Sequence, residues 1–224
     1  MNAIKERTLL VSGPLIRPIL ADIKTETRRL IKDKFVLEGI EFFAGGPEEK
    51  PATLEMLGQR WDGHKLYFYS AEYPDEGGGE IKTPYGKPGD RLWLRETWAH
   101  HTNCPAAIND GGLGHPPGRG CVRYKAQEAP HAFDQGRWVR NWFRVYPAIH
   151  MPRWASRILL EITDIWAERV QDITEAGAMA EGVEAVDGSF IAGFRRVWES
   201  IYGPGAWDRN EWVWVVKFKR VEGR

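Results

Sequence analysis

Short apolar runs separated by clusters of glycine and proline set the pattern of this chain. Residues 8–13 (TLLVSG) read as a strand ending at Ser12 and Gly13. Pro14 suits a first helical turn, and Leu15, Ile16, Ile19 and Leu20 give the helix after it an apolar face. Pro18 lacks an N–H, which keeps that helix short or distorted. Residues 24–30 (KTETRRL) then alternate as a strand. Residues 91–98 (RLWLRETW) alternate again, with Leu92, Leu94, Glu96 and Trp98 on one face and Arg91, Trp93, Arg95 and Thr97 on the other. Beyond Ser156, the residues Ile158, Leu160, Ile162 and Trp166 share one strand face, and Leu159, Glu161 and Thr163 share the opposite one.

Two helices follow. Residues 171–182 (QDITEAGAMAEG) predict a short one, with Asp172 as its cap, Glu175 completing a capping box and Gly182 ending it. Ser189 caps the next, in which Phe190, Ile191, Phe194, Val197, Trp198 and Ile201 form a stripe, and Gly203-Pro204 stop it. The chain closes on a strand in which Trp212, Trp214, Val216 and Phe218 face one way and Lys217 and Lys219 the other. Strands and short helices without a repeating βαβ rhythm predict an α+β fold with a mixed, mostly antiparallel sheet. One domain over residues 1–224 with two or three short helices is expected. The stretches at about 33–87 and 101–150, rich in glycine, proline and charge, read as loop insertions that roof a pocket rather than as second cores.

Composition narrows the function classes. Lys+Arg and Asp+Glu both number 31, so the formal net charge is zero. A protein that coats nucleic acid by bulk charge is thereby disfavoured, although a local basic pocket is not. The two cysteines, Cys104 and Cys121, are too few for a disulfide framework and lack zinc-site spacing. The adjacent His100 and His101 would point to opposite faces of a strand, so neither a metal nor another cofactor is expected. No apolar run approaches the roughly 20 residues of a membrane helix, and Ser12, Gly13 and Pro14 break the first apolar stretch, which predicts a cytoplasmic protein. Eleven tryptophans mostly imply packing, with two or three at most left to stack a base. Nothing in the pattern specifies an oligomeric state.

Candidate chemistry concentrates in few places. Lys24, Thr25, Thr27, Arg28 and Arg29 crowd together after the first helix, either as a solvated polar strand or as a site. Glu181 falls in the last turn of its helix, near the negative end of the macrodipole, where a carboxylate costs roughly 0.3–1 kcal/mol and favours its protonated form. It reads as a tolerated surface residue or as a proton-transfer acid. Glu96 shares a face with Leu92 and Leu94, so a structural ion pair with an arginine is the plainer account. Arg91, Trp93 and Arg95 form a basic–aromatic–basic row suited either to a base and its phosphate or to arginines lying over a sheet.

Six segments in order carry a resemblance: LVSGPLIRPILADIKTETRRLIK, KPGDRLWLRETW, HMPRWASRILLEITDI, ERVQDITEAGAMAEGV, FRRVWESIYG and WVWVVKFKRV. Together they resemble the ASCH-domain proteins of phage and prophage genomes, nearly end to end. The resemblance implies a PUA-like β-barrel with a cleft that handles RNA or a modified nucleoside. DIKTETRR and ITEAGAMAE are further similar to the GRKTxTxR and LTExxAxxE patterns of bacterial acetylcytidine amidohydrolases. That likeness implies catalytic roles for Lys24, Thr27 and Glu181, and puts Arg29 on the arginine two residues beyond the threonine. The Gly-Arg before the lysine is Asp22-Ile23 here, and this chain is about twice as long.

In the amidohydrolase reading, neutral Lys24 is the general base, Thr27 is the nucleophile or positions a water, and Glu181 carries the proton to the leaving amine. It requires Lys24 to be enclosed, and an adjacent Glu181 to be protonated or turned to solvent. In a binding module without catalysis, Lys24, Arg28 and Arg29 hold phosphate while Trp93, Trp98 or Trp154 stack a base, with Arg95 and Glu96 as further candidate binding residues. A ribonuclease would use Lys24 and Arg29 on the phosphorane, and Thr27 or Glu181 for the proton. A phage accessory factor that binds a host protein is a fourth class.

Overall fold

The alternating segments come together in the protein's largest unit of pairing, a five-stranded sheet with a core on each face. The structure, a computed structural model, describes residues 3–44, 57–61, 65–75, 77–101, 121–127, 133–134, 137–138 and 144–221. In chain order, β1 (Glu6–Leu10) leads through α1 (Gly13–Leu20) to β2 (Glu26–Leu30). Next come α2 (Lys34–Ala44), β3 (Leu57–Trp61), β4 (Leu66–Ser70) and β5 (Gly78–Ile81). β6 (Arg91–Arg95), β7 (Trp98–His101), β8 (Cys121–Tyr124), β9 (Phe133–Asp134), β10 (Arg137–Trp138) and β11 (Arg144–Tyr146) follow. The long β12 (Leu159–Arg169), α3 (Glu175–Ala180), α4 (Phe190–Tyr202) and β13 (Trp212–Arg220) end the described chain.

The main sheet runs β1-β6-β12-β13-β2. Only the β1–β6 pair is parallel in it, with Leu9 opposite Leu94. β1 and β2 are therefore its two edges, although only α1 and short turns separate them in sequence. No strand pairing joins them into the expected barrel among the described residues. One side-chain link spans the gap, from the Arg29 guanidinium to the Leu10 carbonyl at 2.9 Å.

β13 explains why the sheet is buried on both faces. Trp212, Trp214, Val216 and Phe218 join Leu9, Leu92, Leu94, Leu160 and Ile162 in one core. Val213 and Val215 point the other way, against Phe194 and Trp198 of α4. Burying one such large side chain stabilises by about 1.5–3 kcal/mol, so this strand anchors the fold.

Several expectations need correction. The stretch at 33–87 is not only loop: it holds α2 and the antiparallel sheet β3-β4-β5. It is no separate core either, since Ile40, Leu57, Leu66, Phe68 and Ile81 belong to the same cluster as Leu9. The fold thus has four α-helices among the described residues rather than two or three. Residues 121–127 and 144–150 contribute short strands and turns, and much of the stretch at 101–150 lies outside the described residues. Trp166 does not share a face with Ile162. The β12–β13 register shifts between Ile162 and Asp164, so Ile165 and Ala167 enter the first core and Trp166 packs on the second. Thr174, not Asp172, caps α3, accepting from the Gly177 N–H. Ile201 leaves the α4 stripe and is exposed. Among the described residues no helix is long and apolar enough to cross a membrane.

Candidate functional site

Lys24 and Glu181 arrive at one place from opposite ends of the chain because two helices stop there. After α1, the Ile23 and Lys24 N–H groups both donate to the Pro18 carbonyl. The turn runs through Asp22 at φ 55°, in the left-handed region that glycine takes most easily. Aspartate tolerates that region, and the Asp22 carboxylate accepts two hydrogen bonds from Arg220, at 2.9 and 2.8 Å. The residue that departs from the amidohydrolase pattern thus keeps the turn. At the other end, Glu181 is the C-cap of α3, and Gly182 follows at φ 72°. The Thr25 N–H donates to the Ala180 carbonyl at 2.8 Å, tying the start of β2 to the end of α3.

The pair seals an open strand edge. β2 bonds β13 on one side only, so the Glu26 carbonyl and the Arg28 N–H point away from the sheet. Lys24 Nζ donates to the Glu26 carbonyl at 2.7 Å, to the Glu181 carbonyl at 2.9 Å and to the Glu181 carboxylate. The other carboxylate oxygen accepts the Arg28 N–H at 2.5 Å. Lys24 is 1% exposed and Glu181 4%, so neither is a surface charge. Three acceptors around Nζ match the three donors of an ammonium group. Burial pushes Lys24 below the ordinary lysine value, contact with Glu181 opposes that shift, and Arg29 and Arg28 add to it.

Arg28 extends the network. Its Nε donates to Glu168 at 2.7 Å, its Nη1 lies 3.4 Å from Glu26, and its guanidinium stands 5.9 Å from the centre of the Phe194 ring. The Trp166 indole N–H holds the second Glu168 oxygen at 2.8 Å. Three buried carboxylates therefore surround two buried cations, and Lys217 reaches Glu26 from the exposed side at 3.8 Å. Burial raises the Glu26 carboxyl above its ordinary value, against the pull of Arg28 and Lys217. Glu26 and Glu168 escaped the sequence reading. The signal for Glu168 was the bulge in β12, which turns its side chain toward the helices and which alternation alone does not reveal.

Thr27 sits differently. It pairs with Val216 and shares a face of β2 with Arg29, opposite the face of Glu26 and Arg28. It is fully buried, and its hydroxyl has no hydrogen-bond partner among the described residues, so it bonds neither Lys24 nor Glu181. Arg29, two positions along that face, opens into a cleft of about 630 Å3 lined by Lys32, Lys82, Tyr85, Tyr202 and Trp214. A second cleft, of about 460 Å3, shares Lys82 and Thr83 with the first. A third, of about 1270 Å3, is lined by Pro18, Ile23 and Gly182 together with α4 residues. Lys24, Thr27 and Glu181 line none of these. A Cβ on Gly182 would lie 2.8 Å from that of Lys24, so the glycine is the thin partition between Lys24 and the third cleft.

The remaining predicted binding residues form a separate group, and their side chains are already engaged. Glu96 is buried in a two-bond ion pair with Arg157, at 2.8 and 3.0 Å, the plainer of its two readings. Arg157 covers the Tyr124 ring at 4.1 Å, and burial pushes the Tyr124 hydroxyl up to about 12. Trp98 is 5% exposed, stacked on Tyr146 at 5.0 Å and edge-on to Trp154 at 5.7 Å. Trp93 lies between the guanidinium groups of Arg95 and Arg153, at 4.9 and 5.9 Å. Trp98 is thus taken up in packing, while Trp93 and Trp154 stay half-buried. Among the described residues no group of three histidine, cysteine or acidic side chains is placed to hold a metal ion. Neither protein-family models, nor curated proteins, nor solved structures yield a match to this chain.

Proposed function

We propose that the chain binds RNA or a modified nucleoside in the cleft lined by Arg29, and that it does so as an ASCH-like protein with a PUA-like fold working in the cytoplasm. The observation that carries this reading is the cleft's chemistry. Cations from Arg29, Lys32 and Lys82 meet the half-buried aromatic rings of Tyr85 and Tyr202 in about 630 Å3, within the usual ligand-pocket range. A nucleotide asks for that combination, a flat apolar face beside positive charge.

A second reading, hydrolysis of an acyl amide on the base, is favoured by one observation: Lys24 is buried and its pKa lowered by burial, although contact with Glu181 opposes that shift. Water would add to the amide carbonyl carbon, directly or after an acyl-Thr27 ester. The C–N bond would break, and Glu181 would carry the proton to the departing exocyclic amine. Against it stand the filled hydrogen bonds of Lys24 and the absence of Thr27 from the pair.

Incubation with N4-acetylcytidine and with plain RNA, followed by equilibrium dialysis and mass spectrometry, separates the readings. Binding without mass change, weakened by Arg29→Gln, is the expected result. Release of acetate and cytidine, lost in both Lys24→Ala and Lys24→Arg, would establish the hydrolase instead, because arginine cannot serve as a base. RNA fragments would indicate a ribonuclease. No binding of either ligand refutes the proposal.

A further inference from the structure

The cleft of Arg29 does not end at its own rim. Lys82 and Thr83 also line the second cleft, which continues over Lys5, Arg7, Lys65 and Lys87. We infer that these adjoining clefts form one track for a single-stranded oligonucleotide, the first taking a nucleoside and the second the neighbouring phosphates. The inference rests on the nucleoside reading above and says what kind of ligand that site serves: a polymer rather than a free nucleoside.

Charge carries the argument. The whole chain is neutral, yet Arg29, Lys32 and Lys82 line the first cleft and four further cations line the second, against only Asp33 and Asp90. Asp90 is already engaged, accepting from the Arg7 guanidinium at 2.9 Å and from the Lys5 N–H at 3.0 Å. Lys65 pairs with Glu80. Among the described residues Lys5, Lys32 and Lys82 have no ion-pair partner and are exposed, so their charge is available to a ligand. An acidic small molecule would need one or two such cations, and a band of them across two clefts matches a repeating anion. The partner is single-stranded because both clefts offer aromatic side chains. Trp61 lines the second, fixed by its indole N–H to the Ile165 carbonyl at 3.0 Å, and stacking on such rings needs unpaired bases.

Fluorescence anisotropy with a 5′-labelled uridine octamer and equilibrium dialysis with uridine 5′-monophosphate provide the test. The double variant Lys5→Gln/Lys87→Gln is expected to weaken octamer binding about tenfold near 0.1 M salt. It should also flatten the log–log salt dependence by about 1.4, the share of two phosphates on a single strand. Binding of the monophosphate should be unchanged, whereas Arg29→Gln weakens both ligands. If the double variant binds the octamer as the natural protein does while Arg29→Gln still weakens both, the track is overturned and the nucleoside reading stands. If Arg29→Gln changes neither, the nucleoside reading falls and the track with it. Equal affinity for a glutamate octapeptide also overturns the track, since the band would then select charge alone.

Discussion

Separating Lys24 from Glu181 should be far more damaging than removing both charges together. In Lys24→Met, the Glu181 carboxylate stays buried at 4% exposure with the Arg28 N–H at 2.5 Å and the Arg28 guanidinium 3.5 Å away. Leaving one partner of a buried pair uncompensated costs about 3–5 kcal/mol. Glu181→Gln leaves the reverse problem, an ammonium facing a neutral amide, at a similar cost. In the double variant no buried charge of the pair remains, and the glutamine oxygen still accepts the Arg28 N–H. The main loss is then the donor to the Glu26 and Glu181 carbonyls, about 1–3 kcal/mol each, which Lys24→Met loses as well. At about 2–4 °C per kcal/mol for a chain of this size, each single change lowers Tm by roughly 6–20 °C, and the double change by no more than Lys24→Met alone. Urea titration and thermal melts of all four proteins give the coupling. Additive losses within about 0.5 kcal/mol would refute the reasoning, because they would mean that the two groups do not depend on each other.

Three further outcomes follow from particular contacts. Burial alone would raise the Asp90 carboxyl, but hydrogen bonds from the Lys5 N–H, Arg7 and the Lys87 N–H outweigh it and hold the group below 3.8. Its stabilisation is therefore present above that value and lost as pH falls through the folded-state pKa, so the stability gap between the natural protein and Asp90→Asn should close in acid denaturation curves. Gly182→Ala places a Cβ 2.7 Å from Pro18 Cβ at φ 72°, and circular dichroism melts should show a loss of at least 1–2 kcal/mol, the approximate cost of that backbone alone. Gly193→Ala sets a Cβ 1.9 Å from the Glu184 carbonyl oxygen, so α4 must move off the loop before it, and limited proteolysis should then cut near residue 184.

What the sequence revealed of the fold follows from how each element is buried. β13 was legible because its apolar run is continuous, β6 because its leucines alternate, and α4 because its cap and stripe agree. α2 and the β3-β4-β5 sheet were missed because glycine, proline and charge around them outweighed short patterns such as LYFYS, where only Leu66 and Phe68 are deeply buried. The bulge in β12 misdirected Trp166 and concealed Glu168, since a single extra residue reverses every later side chain. Of the tryptophans offered as base-stacking walls, Trp98 is buried in packing, and Trp93 and Trp154 are half-buried. The Lys24–Glu181 meeting was implied only by the resemblance. No local pattern links residues 157 positions apart, and each alone reads as a surface charge.

Edge-strand physics accounts for that meeting without any reaction. β2 has one unpaired side, and its polar groups there must be satisfied or exposed. Lys24 supplies the donor for the Glu26 carbonyl and Glu181 the acceptor for the Arg28 N–H, standing in for the strand that would otherwise close the sheet. A hydrophobic plug would leave both backbone groups bare, which explains a buried ion pair where apolar packing would normally serve. For the same pair to do chemistry, Lys24 must give up one of its three hydrogen bonds and Gly182 must move from between it and the third cleft. Thr27, on the opposite face of β2, is fully buried and lines no cleft, so on that face only Arg29 reaches one. Arg29 is thus the residue that lines an open cleft, and the face of Lys24 and Glu181 is the one the fold has closed.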